Sequence, residues 1–213
     1  MLPLVSYGDN WEKLRQSMRA LGGNEQVFDE WNRLINSVKS ASIERKLQGI
    51  NQFFNRKLLY AEDIDVWGQS DYWATPLESL ARGKGDCEDF VIAKYFSLRS
   101  AGLSDQQLRL VYVRAKIGGE RSTISQAHMV LAFYASSDAE PLILDNLITD
   151  IRPASRRTDL SPVFSFNAQG VFAGTNASTR PAPGGTSRLS RWQDLLERAR
   201  QEGFELSSDT ATQ

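Results

Sequence analysis

Hydrophobic periodicity switches along this chain at Gly102. Upstream, apolar residues return every three or four positions; downstream they alternate. Trp11, Leu14, Met18 and Leu21 form one helical stripe, closed by Gly22-Gly23. Phe28, Trp31, Leu34, Ile35 and Val38 form a second from about Gln26. Ser42-Ile43-Glu44 opens a third, expected to bury Ile43, Leu47, Ile50, Phe53 and Phe54. Past Gly102, residues 108–117, 127–134 and 141–145 read as strands. Residues 161–172 add one or two more, with the weakest alternation around Asn167-Ala168-Gln169-Gly170. Helices followed by strands predict an α+β fold with an antiparallel sheet. Residues 173–188 read as a long flexible loop, 189–201 as a last amphipathic helix, and 207–213 as a disordered tail.

At the seam between the two periods stands Gly83-Lys84-Gly85-Asp86-Cys87-Glu88-Asp89-Phe90, which holds the only cysteine. Two glycines permit a sharp turn, and Asp86 suits the N-cap of a helix running to Gly102. Cys87, Val91, Tyr95 and Leu98 fall on one stripe, so the thiol sits in the first turn of a buried helix. Unpaired N–H groups and the helix dipole favour a thiolate there. A lone cysteine is more commonly a small core hydrophobe, and the alternative needs partners.

Two partners stand downstream. His128, the sole histidine, heads the second strand, and Asp145 ends the third. On neighbouring antiparallel strands their side chains can meet. Cysteine catalysis needs a thiol, an imidazole within reach, and an acceptor that fixes the other ring nitrogen. Cys87, His128 and Asp145 supply that set in chain order. Just upstream of the thiol, Asp63, Asp65, Trp67, Gly68, Asp71, Tyr72 and Trp73 crowd together without regular period, before a short helix opened by Thr75-Pro76. The two tryptophans suit either a substrate groove or a cover for the core.

Composition narrows the classes. The chain has 213 residues, 41% apolar, enough for one domain with a substantial core. Its 25 basic and 26 acidic residues are interspersed, which argues against a nucleic-acid partner. No run approaches the roughly 18 apolar residues of a membrane span, so direct membrane insertion is not expected. One cysteine excludes an internal disulfide and a zinc site built on several thiols. Met1-Leu2-Pro3-Leu4-Val5 shows no basic region followed by a long apolar one, so no signal peptide is legible.

Asp71-Tyr72-Trp73, Pro76, Glu78, the Gly83–Asp89 segment, Ala127-His128-Met129-Val130-Leu131 and Leu144-Asp145-Asn146 resemble the transglutaminase-like superfamily. More narrowly they resemble its bacterial cysteine proteinases, over about residues 60–150 by motif. The resemblance implies a papain/transglutaminase-like fold. A helical part, 1–59, would pack on a transglutaminase-like core, 60–206, to make one unit. It makes Cys87 the nucleophile, His128 the general base and then acid, and Asp145 the orienting carboxylate. An oxyanion hole would combine the Cys87 N–H with the Trp73 indole N–H.

Asp86, Glu88 and Asp89 suit a helix N-terminus as cap and first-turn charges, yet beside Cys87 they should raise the thiol's pKa. A hard cation would cancel that field, and carboxylate oxygens around a turn suit calcium. The resemblance implies a Ca²⁺ site at Asp86 and Glu88, with Asp89 a further ligand. It also implies a periplasmic enzyme that cleaves the N-terminal region of a large surface adhesin, releasing it and dispersing biofilm. A membrane receptor sensing cyclic di-GMP would hold that enzyme inactive through its periplasmic domain. Acyl transfer to an amine uses the same triad, and a non-catalytic binding module using the groove near Trp67 and Trp73 is a third reading.

Overall fold

Three short polar side chains set the starts of the first helices. Asn10 accepts the Lys13 N–H, Asn24 the Gln26 N–H and Ser42 the Arg45 N–H, capping α1 (Trp11–Ala20), α2 (Glu25–Val38) and α3 (Ile43–Lys57). The computed structural model describes residues 8–118, 121–175 and 189–205, so the expected tail and most of the expected 173–188 loop lie outside the described residues. The three helices bury Leu14, Met18, Phe28, Trp31, Ile35, Val38, Leu47, Ile50 and Phe54. Ile43 and Leu21, expected on those faces, are exposed. Ile43 is the first residue of its helix, and a helical side chain leans toward the N-terminus, past the end of the partner surface. Leu21 lies just beyond the end of α1.

The crowded stretch is more regular than its sequence. Leu59–Tyr60 (β1) pairs in parallel with Lys84–Gly85 (β2), and Asp63–Trp67 forms a short helix, α4. Thr75 and Glu78 form a reciprocal capping box at α5 (Pro76–Arg82), which Gly83 ends in the left-handed conformation at φ 65°.

Helix α6 (Cys87–Ser100) is the middle of the molecule. The expected single buried stripe is replaced by burial on nearly every side from Asp89 to Leu98. The physical reason is that α2 and α3 cover one side of it and the sheet the other, so no face is left to water; Trp31 of α2 reaches Ser97 Oγ at 2.9 Å. The sheet consists of β3 (Leu108–Lys116), β4 (Ser125–Phe133), β5 (Leu142–Leu144), β6 (Arg152–Pro153), β7 (Leu160–Asn167) and β8 (Gly170–Ala173). Its order is β6-β5-β4-β3-β7-β8, antiparallel throughout. The weak alternation near residue 167 is a turn, where Asn167 Oδ1 accepts the N–H groups of Gln169 and Gly170. Leu108, Leu110, Met129, Leu131 and Phe166 join the α6 core. Val111, Val113, Val130, Ala132, Tyr134 and Ile143 form a second cluster.

The last helix, α7 (Ser190–Glu202), closes the core with Trp192, whose ring meets Phe166 edge-on at 5.2 Å. Each such buried large side chain stabilises the fold by roughly 1.5–3 kcal/mol. Among the described residues no helix is long and apolar enough to cross a membrane.

Candidate active site

Cys87 is the first residue of α6, so its backbone N–H has no acceptor within the helix. Its side chain is half-buried on a cavity of about 420 Å³, which Trp73, Tyr112, His128 and Arg191 also line. The turn before it is tight: a Cβ on Gly85 would fall 2.6 Å from Asp89 Oδ2. Only glycine lets the Asp89 carboxylate lie against the chain there and accept the Asp86 N–H.

His128 and Asp145 arrive from the sheet. The register of β4 with β5, Leu131 opposite Leu144, runs the chain after β5 back alongside the start of β4. His128 Nε2 lies 2.7 Å from Asp145 Oδ1, with both side chains buried. Nε2 being taken, Nδ1 is the ring nitrogen left to serve a thiol.

Asp145 is heavily supported. Oδ1 also accepts the N–H groups of Asn146, at 2.7 Å, and Leu147, at 3.1 Å, and Oδ2 accepts Arg157 Nη2 at 2.7 Å. Its carbonyl takes Asn55 Nδ2 at 2.9 Å and Lys94 Nζ at 3.1 Å. Burial alone would raise its pKa, but the hydrogen bonds and charges of His128 and Arg157 outweigh it and hold the carboxyl at about 2. Lys94, wholly buried, is pulled down by that burial to about 7, and Asp145 works in the opposite sense. None of Asn55, Lys94 and Arg157 was singled out from sequence. A buried lysine in an apolar helix is the signal that was there to be read.

The thiol itself is not poised as a free thiolate. Burial pushes its pKa well up, Glu88 and then Asp86 add to the rise, and the Met129 backbone N–H opposes it. Glu88 Oε2 lies 3.1 Å from Sγ. The helix dipole is therefore outweighed by desolvation and by the neighbouring acids.

Those acids form a cluster. Ligand atoms of Asp63, Asp86 and Asp89, all buried, lie within 4.8 Å of one another. Asp63 belongs to α4 and was not predicted as a ligand; its neighbour Asp65, equally acidic, points to water. Nothing local separates the two. Glu88 stands beside Asp86 and the thiol, outside that tight group of three. The donor set suits a hard cation. All the oxygens are carboxylate, and Asp63 Oδ1 and Asp86 Oδ1 are buried without a hydrogen-bond partner. Asp63 Oδ2 and Asp89 Oδ1 meanwhile accept the N–H groups of Tyr72, at 2.5 Å, and Ala74, at 2.9 Å. The cluster thus grips the chain on both sides of Trp73.

Trp73 lines the cavity and stacks on Phe166, but its indole N–H donates to Asp71 Oδ1 at 3.2 Å. Asp71, at φ 59°, is the one non-glycine residue with positive φ among the described residues. Trp67 lies outside the cavity, against Tyr72 and Arg82.

Comparison with known proteins gives the family and the fold. The family model of the bacterial transglutaminase-like cysteine proteinases matches residues 29–160. The solved structure of Legionella pneumophila LapG is 38% identical, with a TM-score of 0.74, over 91% of this chain and 99% of that one. Its EGTA-treated form is 37% identical, with a TM-score of 0.75 over the same shares. Its calcium-bound form is 38% identical, with a TM-score of 0.73, over 88% of this chain and 98% of that one. No curated protein matches the chain.

Proposed function

Because the chain belongs to the bacterial transglutaminase-like cysteine proteinases and is a cysteine peptidase, we propose that it is a calcium-dependent endopeptidase with Cys87, His128 and Asp145 as its triad. The observation that carries this reading is the buried 2.7 Å bond between His128 Nε2 and Asp145, with His128 and Cys87 on one cavity. His128 Nδ1 takes the thiol proton as Sγ attacks the scissile carbonyl, forming the C–S bond. The tetrahedral oxygen receives the Cys87 N–H and, once it leaves Asp71, the Trp73 indole N–H. As the C–N bond breaks, the same imidazole returns the proton to the departing amine. It then deprotonates the water that opens the thioester, and the thiol is restored. Asp145 keeps the ring in one tautomer throughout.

Asp63, Asp86 and Asp89 would hold calcium, with Glu88 adjacent, and the ion would offset the negative field that disfavours the thiolate. Similarity to LapG supports the rest of the proposal. The substrate is the N-terminal region of a large surface adhesin, and its cleavage releases the adhesin and promotes biofilm dispersal. The enzyme works in the periplasm, and the periplasmic domain of a cyclic-di-GMP-sensing receptor holds it inactive. The test is incubation with such an adhesin fragment, with calcium or a chelator, using Cys87→Ala as blank. New free termini that require both calcium and Cys87 are expected. Incorporation of a labelled amine without hydrolysis would replace the peptidase by a transferase.

A further inference from the structure

Asp145 is shared between two side chains, His128 and Arg157. Oδ1 is filled by His128 and two backbone N–H groups. Oδ2 meets Arg157 Nη2 at 2.7 Å, and among the described residues no other donor reaches it. Asp145 is fully buried, so an Oδ2 without a donor would carry an uncompensated desolvation cost. Its cheapest relief is to rotate the carboxylate or to take a proton, and either change loosens the bond that orients His128.

The arginine is itself tethered. Its Nε reaches Asp159 Oδ1 and its Nη2 reaches Asp159 Oδ2, both at 2.9 Å. Its other flank walls a small, mostly apolar cavity lined by Val111, Val113, Val130 and Ile143, and Nη1 is buried with no hydrogen-bond partner. A buried guanidinium with an unspent donor is a poor way to stabilise a fold; an apolar residue of similar volume would serve better. The arrangement makes sense if what it supplies is a fixed orientation.

We propose that Arg157 is a positioning residue of this site: through Oδ2 of Asp145 it locks the carboxylate plane, keeps it an acceptor, and so holds His128 with its proton on Nε2 and Nδ1 toward Cys87. The kinetic part of this rests on the peptidase reading above; the structural part does not.

The test uses the 213-residue chain. Its single histidine makes the ¹⁵N spectrum of the ring unambiguous. Wild type should show one tautomer, protonated on Nε2. Arg157→Met should show a mixture of tautomers and lose kcat by about 10–100-fold, with KM within about two-fold. Arg157→Lys should recover part of both losses. Wild-type ring shifts in Arg157→Met would overturn the proposal, whether or not kcat fell. If Arg157→Met does not fold, Asp159→Asn, which keeps the guanidinium but loosens its anchor, is read in the same way. Unchanged ring shifts there would overturn it equally. A wild type that cleaves no peptide would sink the peptidase reading, and the ring nitrogens would still decide this one.

Discussion

If the acidic cluster beside Cys87 holds calcium as proposed, stability should depend on pH and calcium together. Its three carboxylates have ligand atoms within 4.8 Å of one another. At an effective dielectric of about 20, two full charges at that spacing repel by about 3.5 kcal/mol, so three ionised groups would cost about 10 kcal/mol. Domains are stable by only about 5–15 kcal/mol, so without a cation the cluster must hold protons. Burial first, then Glu88, pushes Asp86 up to about 10; burial lifts Asp63 to about 6 and carries Asp89 well above the usual range.

A carboxyl with a raised folded-state pKa stabilises the fold fully below its unfolded pKa, and that stability is lost as pH rises toward the folded value. For Asp86 the loss from about pH 5.5 to about pH 8 is about 3 kcal/mol, reduced to about 2 for the solvent that reaches it. The calcium-free protein should therefore melt about 4–8 °C lower at the higher pH. Calcium displaces the protons, so it should raise Tm more at about pH 8 than at about pH 5.5. Thermal melts followed by circular dichroism, with calcium and with a chelator, measure both. A chelated protein no less stable at the higher pH, or a calcium effect equal at the two, would refute the reasoning.

The remaining predictions are local. Lys94 binds a proton in the unfolded chain up to about 10.5 but in the folded chain only below about 7, so in the calcium-loaded protein, where the acidic cluster has lost its protons, its own contribution to stability should rise with pH through that window. Lys94→Met should flatten the gain, which urea titrations at the two ends of the window would show; an unchanged slope would mean that the lysine is not the cause. Gly85→Ala drives a methyl into Asp89, and should cost about 2–3 kcal/mol in urea unfolding and weaken calcium binding as well. Wild-type values in both would mean that Asp89 has room to move. Trp73→Phe keeps the stacking on Phe166 but removes the indole N–H, and should lower kcat about 10²-fold with KM little changed. An undiminished kcat would take Trp73 out of the oxyanion hole.

What could be read from sequence was what is encoded locally. Ser42 and Thr75 announce helix starts within one turn of themselves, and the alternation after Gly102 announces the antiparallel sheet. Cys87, His128 and Asp145 are each the kind of residue that draws attention alone, and the structure brings His128 onto Asp145 and beside the cavity that Cys87 lines. What escaped depends on contacts between distant segments. Asp63 differs from Asp65 only because α4 turns one of them toward Asp86 and Asp89. Arg157 is one of many surface-type residues until the chain after β6 folds it under Asp145. Burial around all of α6 was missed for the same reason: the stripe assumes one covered face, and a helix between two layers has two.

The central claim is that Cys87 carries the acyl group and His128 makes it reactive. Rapid acid quench of the calcium-loaded protein with a cleavable adhesin peptide, followed by mass spectrometry of the Cys87-containing fragment, tests it directly. An acyl adduct on Cys87 in wild type, absent from His128→Ala, is the predicted result. Peptide cleavage that proceeds with no adduct on Cys87, or equally well in His128→Ala, would contradict the account.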